Sequence, residues 1–362
     1  MSQPSRPRIG RIPRDLFSPY FKDIKSLPYH ESTSGRGAGS HHRLRHIAWN
    51  PLSTFVATVT SDKTLRVWNP ERKDVKNSTE LRGHLAAIEK IAFNPVKEAE
   101  LCSVSNDGVV KLWDVRTKAC VNEIKGLGNA HTLAWAPDGS SLLVGNRRGE
   151  FFQISPAKSA VVSSCQLPVD TNQMAFCWSG EKVFVPTTEG AIRILSYPEL
   201  EPAFHANHAA KDGDPTEFML KGHTASCLTT ELSPTGKYLA TGGADSIISL
   251  FDTKDWICQR TISRMVGPVK CLSAAPSPAR IDNLNADLIL GFSFDGCYVV
   301  GGCEEGSGID VTHTETGELV HTFKTAGPCE AVAWAPTRYC LAYGDLGVLR
   351  IIDADKKNTP KS

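Results

Sequence analysis

Short stretches of alternating apolar and polar residues, bounded by Gly, Asn, Asp and Pro, run along most of this chain. A period of two predicts half-buried strands, and the bounding residues predict hairpin turns. One arrangement keeps returning. An apolar dipeptide leads into a turn at "IAWNP" (47–51), "IAFNP" (91–95), "LAWAPDG" (133–139) and "VAWAPTR" (332–338), with variants "MAFCWSG" (174–180), "TELSPTG" (230–236) and "GFSFDG" (291–296). Further on, an alternating segment closes each unit: "TLRVWN", "VVKLWD", "EFFQIS", "AIRILS", "IISLFD", "IDVTHT" and "VLRIID". Seven units follow from this count.

The position of Trp113 serves as a marker. It recurs at Trp68, Trp113, Ile154, Leu195, Phe251, Thr312 and Ile352, in steps of 45, 41, 41, 56, 61 and 40 residues. Four of these match a four-stranded propeller blade of roughly 40–45 residues. The two long steps require insertions, placed at "HANHAAKDGDPTE" (205–217) and "AAPSPARIDNLNADLI" (274–289). In most units an outer strand follows the marker, as in "CVNEIKG" (120–126), "ICQRTIS" (257–263) and "ELVHTFK" (318–324). The seventh has none, because only "ADKKNTPKS" follows Asp353. Its fourth strand is therefore expected from upstream of residue 40, where "TSGRGAG" (33–39) is glycine-rich and "IKSLPYH" (24–30) is the better strand former. The donor is left open between the two.

Unit 2 contains Gly83-His84, Ser103, Asp107 and Trp113-Asp114. This set resembles the WD-repeat β-propeller family, in which one His, one Ser or Thr, one Asp and one Trp per blade form a structural tetrad. The resemblance implies an all-β, seven-bladed propeller with four antiparallel strands per blade and a short flexible basic N-terminal arm. Residues 1–39 would be the arm, 40–353 the propeller and 354–362 a polar tail. It further implies tetrads of His84, Ser103, Asp107 and Trp113 in unit 2, and Thr58, Asp62 and Trp68 in unit 1, with His41 as a candidate fourth member. Unit 5 would contribute His223, Thr241 and Asp245, one donor short because Phe251 replaces Trp.

Within that family, most of residues 40–353 is similar in order and spacing to the WD-repeat subunits of the THO complex, the core of the transcription–export assembly. The local matches are "IRILSYPELEP" (192–202), "KLWDVRTKAC" (111–120) and "GKYLATGGADSIISLFD" (236–252). Of these, "LSYPEL" is the most informative, since no blade geometry demands it. Two departures stand out: the insertion at 274–289, where a short β-turn is expected, and "YGDLG" (343–347), where a longer loop is expected. The resemblance implies a nuclear, non-enzymatic scaffold acting in mRNA packaging and export coupled to transcription. Its partners would be other THO and transcription–export subunits, chiefly the large helical ones. RNA would be met indirectly or weakly through the arm. The alternative reading is a substrate receptor presenting peptides for ubiquitin ligation or histone modification. It calls for a central-channel Arg/aromatic set and a ligase-docking motif, and neither is identified. A propeller enzyme is the third reading.

Composition changes this picture little. Hydrophobic residues make up 41% and charged residues 22%, which suits a globular protein with a buried core. No run reaches the roughly 18 apolar residues of a membrane helix, so no membrane contact is expected. Forty Lys and Arg against thirty-nine Asp and Glu give no global charge that demands nucleic acid. The eleven cysteines include no C-x-x-C pair, and Cys102, Cys227, Cys271 and Cys340 sit in apolar runs as small hydrophobes.

Ser103, His84 and Asp107 also contain the residue types of a hydrolase triad. A hydrolase nucleophile needs an exposed, strained turn, whereas Ser103 lies within an alternating strand and the chain has no G-x-S-x-G. "HHRLRH" (41–46) and "HANH" (205–208) lack a Cys or acidic partner at metal-site spacing, and "GRGAGS" (35–40) lacks the strand, helix and Lys of a phosphate loop. No catalytic residue, metal or cofactor is expected. The one charge asymmetry is the arm, where nine Lys or Arg face three acids in residues 1–45. There "RPRIGRIPRD" reads as disordered, and Arg6, Arg8, Arg11 and Arg14 are candidate contacts to RNA or an acidic partner. "LFSPYF" (16–21) supplies aromatic residues to dock on a partner or on the propeller itself. Asn50, Asn94 and Arg147-Arg148 sit near turns that would carry partner contacts.

Overall fold

A computed structural model describes residues 10–29, 43–71, 78–167, 171, 173–203, 217–263, 290–302 and 308–354. Alternation does what it predicts: every sheet is four-stranded and antiparallel, six of the seven being meanders of consecutive strands. Blade 1 is Leu44–Trp49, Val56–Thr60, Leu65–Trp68 and Thr79–Leu81, and blade 2 is Ile88–Phe93, Glu100–Ser105, Val109–Asp114 and Ala119–Ile124. Blade 3 runs Ala130–Trp135, Leu142–Asn146, Glu150–Ser155 and Ala160–Gln166; blade 4 runs Ala175–Phe176, Lys182–Pro186, Ala191–Ser196 and Met219–Lys221. Blade 5 comprises Cys227–Leu232, Tyr238–Gly243, Ile248–Asp252 and Cys258–Ile262, and blade 6 Leu290–Phe292, Tyr298–Gly302, Gly308–His313 and Leu319–Lys324.

Blade 7 takes Cys329–Trp334, Cys340–Asp345 and Val348–Asp353 from the C-terminal end and Leu27–Tyr29 from the N-terminal end. The closing strand therefore comes from "IKSLPYH", with Leu27 opposite Ile351 and Tyr29 opposite Leu349. Pro28 is tolerated because the strand forms the sheet edge. The other candidate, 33–39, and the insertion at 274–289 lie outside the described residues.

Burial follows the ring. Successive side chains of a strand point to opposite faces, so each blade feeds two cores. In blade 2, Leu101 and Trp113 enter the core shared with blade 1, while Cys102 and Leu112 enter the core shared with blade 3. The core between blades 7 and 1 includes Tyr29, Trp49 and Trp68, so the borrowed strand is packed as well as paired. Middle strands such as Leu142–Asn146 are buried along their whole length because both faces are covered. Outer strands such as Ala160–Gln166 are largely exposed.

The arm departs from the flexible segment expected of it, at least over residues 10–29. Arg14–Phe21 forms a helix whose Phe17 and Phe21, four residues apart and so on one face, are buried against blades 6 and 7. The Phe17 and Tyr298 ring centroids lie 4.2 Å apart, and Phe21 meets Phe323 edge-on at 5.4 Å. Just upstream, Ile12 is buried, its N–H donates to the Tyr339 hydroxyl at 3.3 Å, and its carbonyl accepts from Tyr298 at 2.7 Å. Aromatic burial outweighs the disorder that a basic, proline-broken sequence suggests. Residues 1–9 lie outside the described ones.

Candidate functional site

The residues with triad chemistry meet inside blade 2. Ser103 Oγ stands 2.6 Å from His84 Nε2 and accepts a hydrogen bond from Trp113 Nε1 at 2.8 Å. Ser103 is completely buried, so no substrate carbonyl can approach its hydroxyl. Burial, with Lys111 nearby, lowers the His84 pKa to about 4, leaving a neutral imidazole at pH 7. Asp107 does not reach the ring. Its carboxylate accepts from Ser105 Oγ at 2.5 Å, while His84 Nδ1 is buried without a partner.

Unit 5 explains the difference. His223 Nδ1 lies 3.0 Å from Asp245 Oδ1, and its Nε2 lies 2.8 Å from Thr241 Oγ1. Where unit 2 has Ser105, unit 5 has Gly243, and a Cβ there would fall 2.4 Å from His223 Nδ1 and 2.5 Å from Asp245 Oδ1. The missing side chain makes room for the His–Asp bond and removes the competing hydroxyl. With Phe251 in place of Trp, Thr241 also lies 3.4 Å from the carbonyl of Ser249 as a donor. In unit 1, Trp68 Nε1 donates to Thr58 Oγ1 at 3.0 Å, and Asp62 accepts from Thr60 and Thr64. His41 lies outside the described residues.

Blade 7 has no tetrad, yet Asp345 ties its turn region by another route. Its carboxylate accepts from the backbone N–H groups of Ala326 and Gly327 at 3.0 and 3.1 Å and pairs with Arg350 at 2.9 Å. Order along the chain gave no signal for this cluster.

Each innermost strand turns into the next, and these turns share one face of the ring and join neighbouring blades. Asn50 Nδ2 donates to Glu98 O at 3.3 Å, Asn94 Nδ2 to Gly139 O at 3.0 Å, and Trp178 Nε1 to Ser233 O at 2.8 Å. Tyr339 donates to Asp295 at 2.6 Å, and Thr337 bonds Ser53 Oγ at 2.7 Å across the blade 7–blade 1 seam. Asn50 and Asn94 are fully buried, so they staple blades together and are not available to partners. Arg148 is exposed at the opposite turns and Arg147 partly so. Nearer the axis, Arg45 pairs with Glu89 at 3.6 Å, and Gln173 Oε1 accepts from Thr229 Oγ1 at 2.5 Å.

Of the arm arginines, Arg14 pairs with Glu318 of blade 6, Arg11 is exposed, and Arg6 and Arg8 lie outside the described residues. His46 is partly buried, and desolvation of its ring, with Lys90 nearby, lowers its pKa to about 3. His42 and the 205–208 cluster lie outside the described residues, within which no three His, Cys, Asp or Glu are grouped to hold a metal. No described helix is long and apolar enough to cross a membrane.

The family model for the WD domain, G-beta repeat, matches residues 37–69, 75–114 and 215–252, which hold the three units with tetrad residues. The chain is 28% identical to THO complex subunit 3 of Arabidopsis thaliana over 338 residues, covering 90% of this chain and 97% of that protein. It is 27% identical to WD repeat-containing protein AAC3 of Dictyostelium discoideum over 349 residues, covering 91% of this chain and 65% of that one. Over 189 residues it is 28% identical to mitotic checkpoint protein bub-3 of Caenorhabditis elegans, 49% of this chain and 52% of the relative. Seven four-stranded blades, a buried hydroxyl–imidazole–indole chain in blade 2, and WD-repeat matches at units 1, 2 and 5 agree: this chain folds as a seven-bladed β-propeller that carries WD repeats.

Proposed function

We propose that the protein is a non-enzymatic scaffold subunit of a THO-type assembly, acting in the nucleus to couple mRNA packaging and export to transcription. The observation that carries this reading is the end-to-end similarity to THO complex subunit 3, which covers nearly the whole of both chains. The shorter similarities extend over only 85 and 77 residues, 24% and 21% of this chain. The buried chemistry agrees with it: Ser103 and His84 are spent on holding a blade, which favours binding over turnover.

The partners in this reading are the large helical subunits of the same assembly, held by turns and outer strands that the closed ring fixes in space. RNA is met indirectly, or through the arm segment containing Arg6, Arg8 and Arg11. The test is depletion of the protein followed by in situ hybridisation of polyadenylated RNA. The expected result is nuclear retention that the full chain reverses; an unchanged distribution counts against the reading.

A further inference from the structure

We propose that the seam between blades 3 and 4, on the face carrying the inner turns, is a docking groove for a proline-rich, arginine-flanked segment of a partner protein. The groove encloses about 500 Å³. Pro137 and Asp138 line one side, and Trp178, Glu181, Tyr197 and Pro198 the other. Tyr197 and Pro198 belong to "LSYPEL", the stretch that blade geometry does not require, and here it forms a binding wall.

Both aromatic walls are fixed in place before any ligand arrives. The Tyr197 hydroxyl is 2.8 Å from Ser141 Oγ and accepts from Gln153 Nε2 at 2.8 Å, and its ring meets Phe176 edge-on at 4.9 Å. Trp178 is anchored through its indole N–H to Ser233 O while 57% of the residue stays exposed. An exposed indole held rigid loses little entropy on binding. A polyproline II segment, already extended, loses little too, and such segments dock in aromatic-lined grooves.

Charge selects among such segments. Asp138 accepts from the Ser140 backbone N–H and hydroxyl, which hold its carboxyl below the usual range and therefore ionised. Glu181 is exposed. Among the described residues, neither has a cation within 4.0 Å. A pocket of similar size within blade 2, about 490 Å³, has two of its carboxylates already neutralised: Arg116 pairs with Glu98, and Lys97 with Glu100 at 3.0 Å. Two unpaired carboxylates beside an open indole favour guanidinium, which can pair with the first and stack on the second. The same carboxylates repel phosphate, so nucleic acid does not fit. This groove binds its segment whichever assembly holds the propeller, so its failure would leave the proposed function standing.

The test is fluorescence anisotropy with the full chain and a labelled decapeptide, proline-rich at its centre with arginine at both ends. Saturable binding is expected, weakened by salt, lost when glutamate replaces arginine, and at least about tenfold weaker in the Asp138→Lys, Glu181→Lys double variant. Trp178→Ala should abolish it. Glu181→Lys alone, at a position with no backbone role, keeps the test decisive if the others alter folding. Absent saturation at millimolar protein, equal affinity in the charge-reversed variants, or preference for a single-stranded oligonucleotide would overturn the proposal.

Discussion

At the scale of single residues, the contrast between Ser105 and Gly243 sets which blade completes its histidine chain. The hydroxyl of Ser105 captures Asp107, and the bare Cα of Gly243 leaves Asp245 free to hold His223. Gly243→Ser should therefore cost about 2 kcal/mol, by overpacking and by competition for Asp245, as read by urea denaturation. A variant as stable as the parent would refute this reason for the glycine. His84 titrates differently. Its folded pKa of about 4 lies below the ordinary histidine value, so the unfolded chain binds the extra proton first. Its contribution to stability is intact above pH 6.5 and declines as pH falls from there to about 4. The full difference is on the order of 3 kcal/mol. Compared with His84→Asn, the parent should lose its relative stability across that window; a pH-independent difference would contradict the assignment. The sequence shows which residues have tetrad chemistry. It does not show that a side chain two positions before an aspartate redirects it, because that is a competition between two nearby donors for one carboxylate.

At the scale of elements, counting strands was enough to demand a donor for blade 7 but not to choose it. Pro28 obscures the strand character of "IKSLPYH", and only the open edge beside Val348–Asp353 makes a three-residue pairing worthwhile. The helix Arg14–Phe21 was less legible still. Its signal is the i, i+4 spacing of Phe17 and Phe21, but the aromatic groove that receives them is built from residues about 280 to 320 positions further on. The shortened "YGDLG" resolves as a two-residue turn, Leu346-Gly347, with φ of 52° and 76°, both in the left-handed region such hairpins need. Phe17→Ala and Phe21→Ala should each cost about 3 kcal/mol or more and bring the unfolding midpoint down, since each empties a buried aromatic site. Removing residues 1–29 should lower it further by opening the ring. If the truncated chain melts with the parent, the arm is not part of the folded unit.

At the scale of the whole molecule, seven sheets, each sharing a core with the next, give a ring whose turns are stapled to one another and whose last blade is sewn from both ends of the chain. Repeat spacing made the blade number and strand order readable, because they depend on local alternation and turn residues. Contacts between blades were not readable, since they join residues from different repeats. Such a frame keeps its loops in fixed relation while several partners hold them, which is what a scaffold requires and an induced-fit enzyme does not. Size-exclusion chromatography of nuclear extract, treated with ribonuclease and followed by mass spectrometry of the fractions containing the tagged chain, tests this most directly. Co-migration with THO subunits in a large, ribonuclease-resistant assembly is the result expected of the proposed scaffold. Elution as a lone propeller, or with ubiquitin-ligase adaptors and no THO subunit, would contradict it.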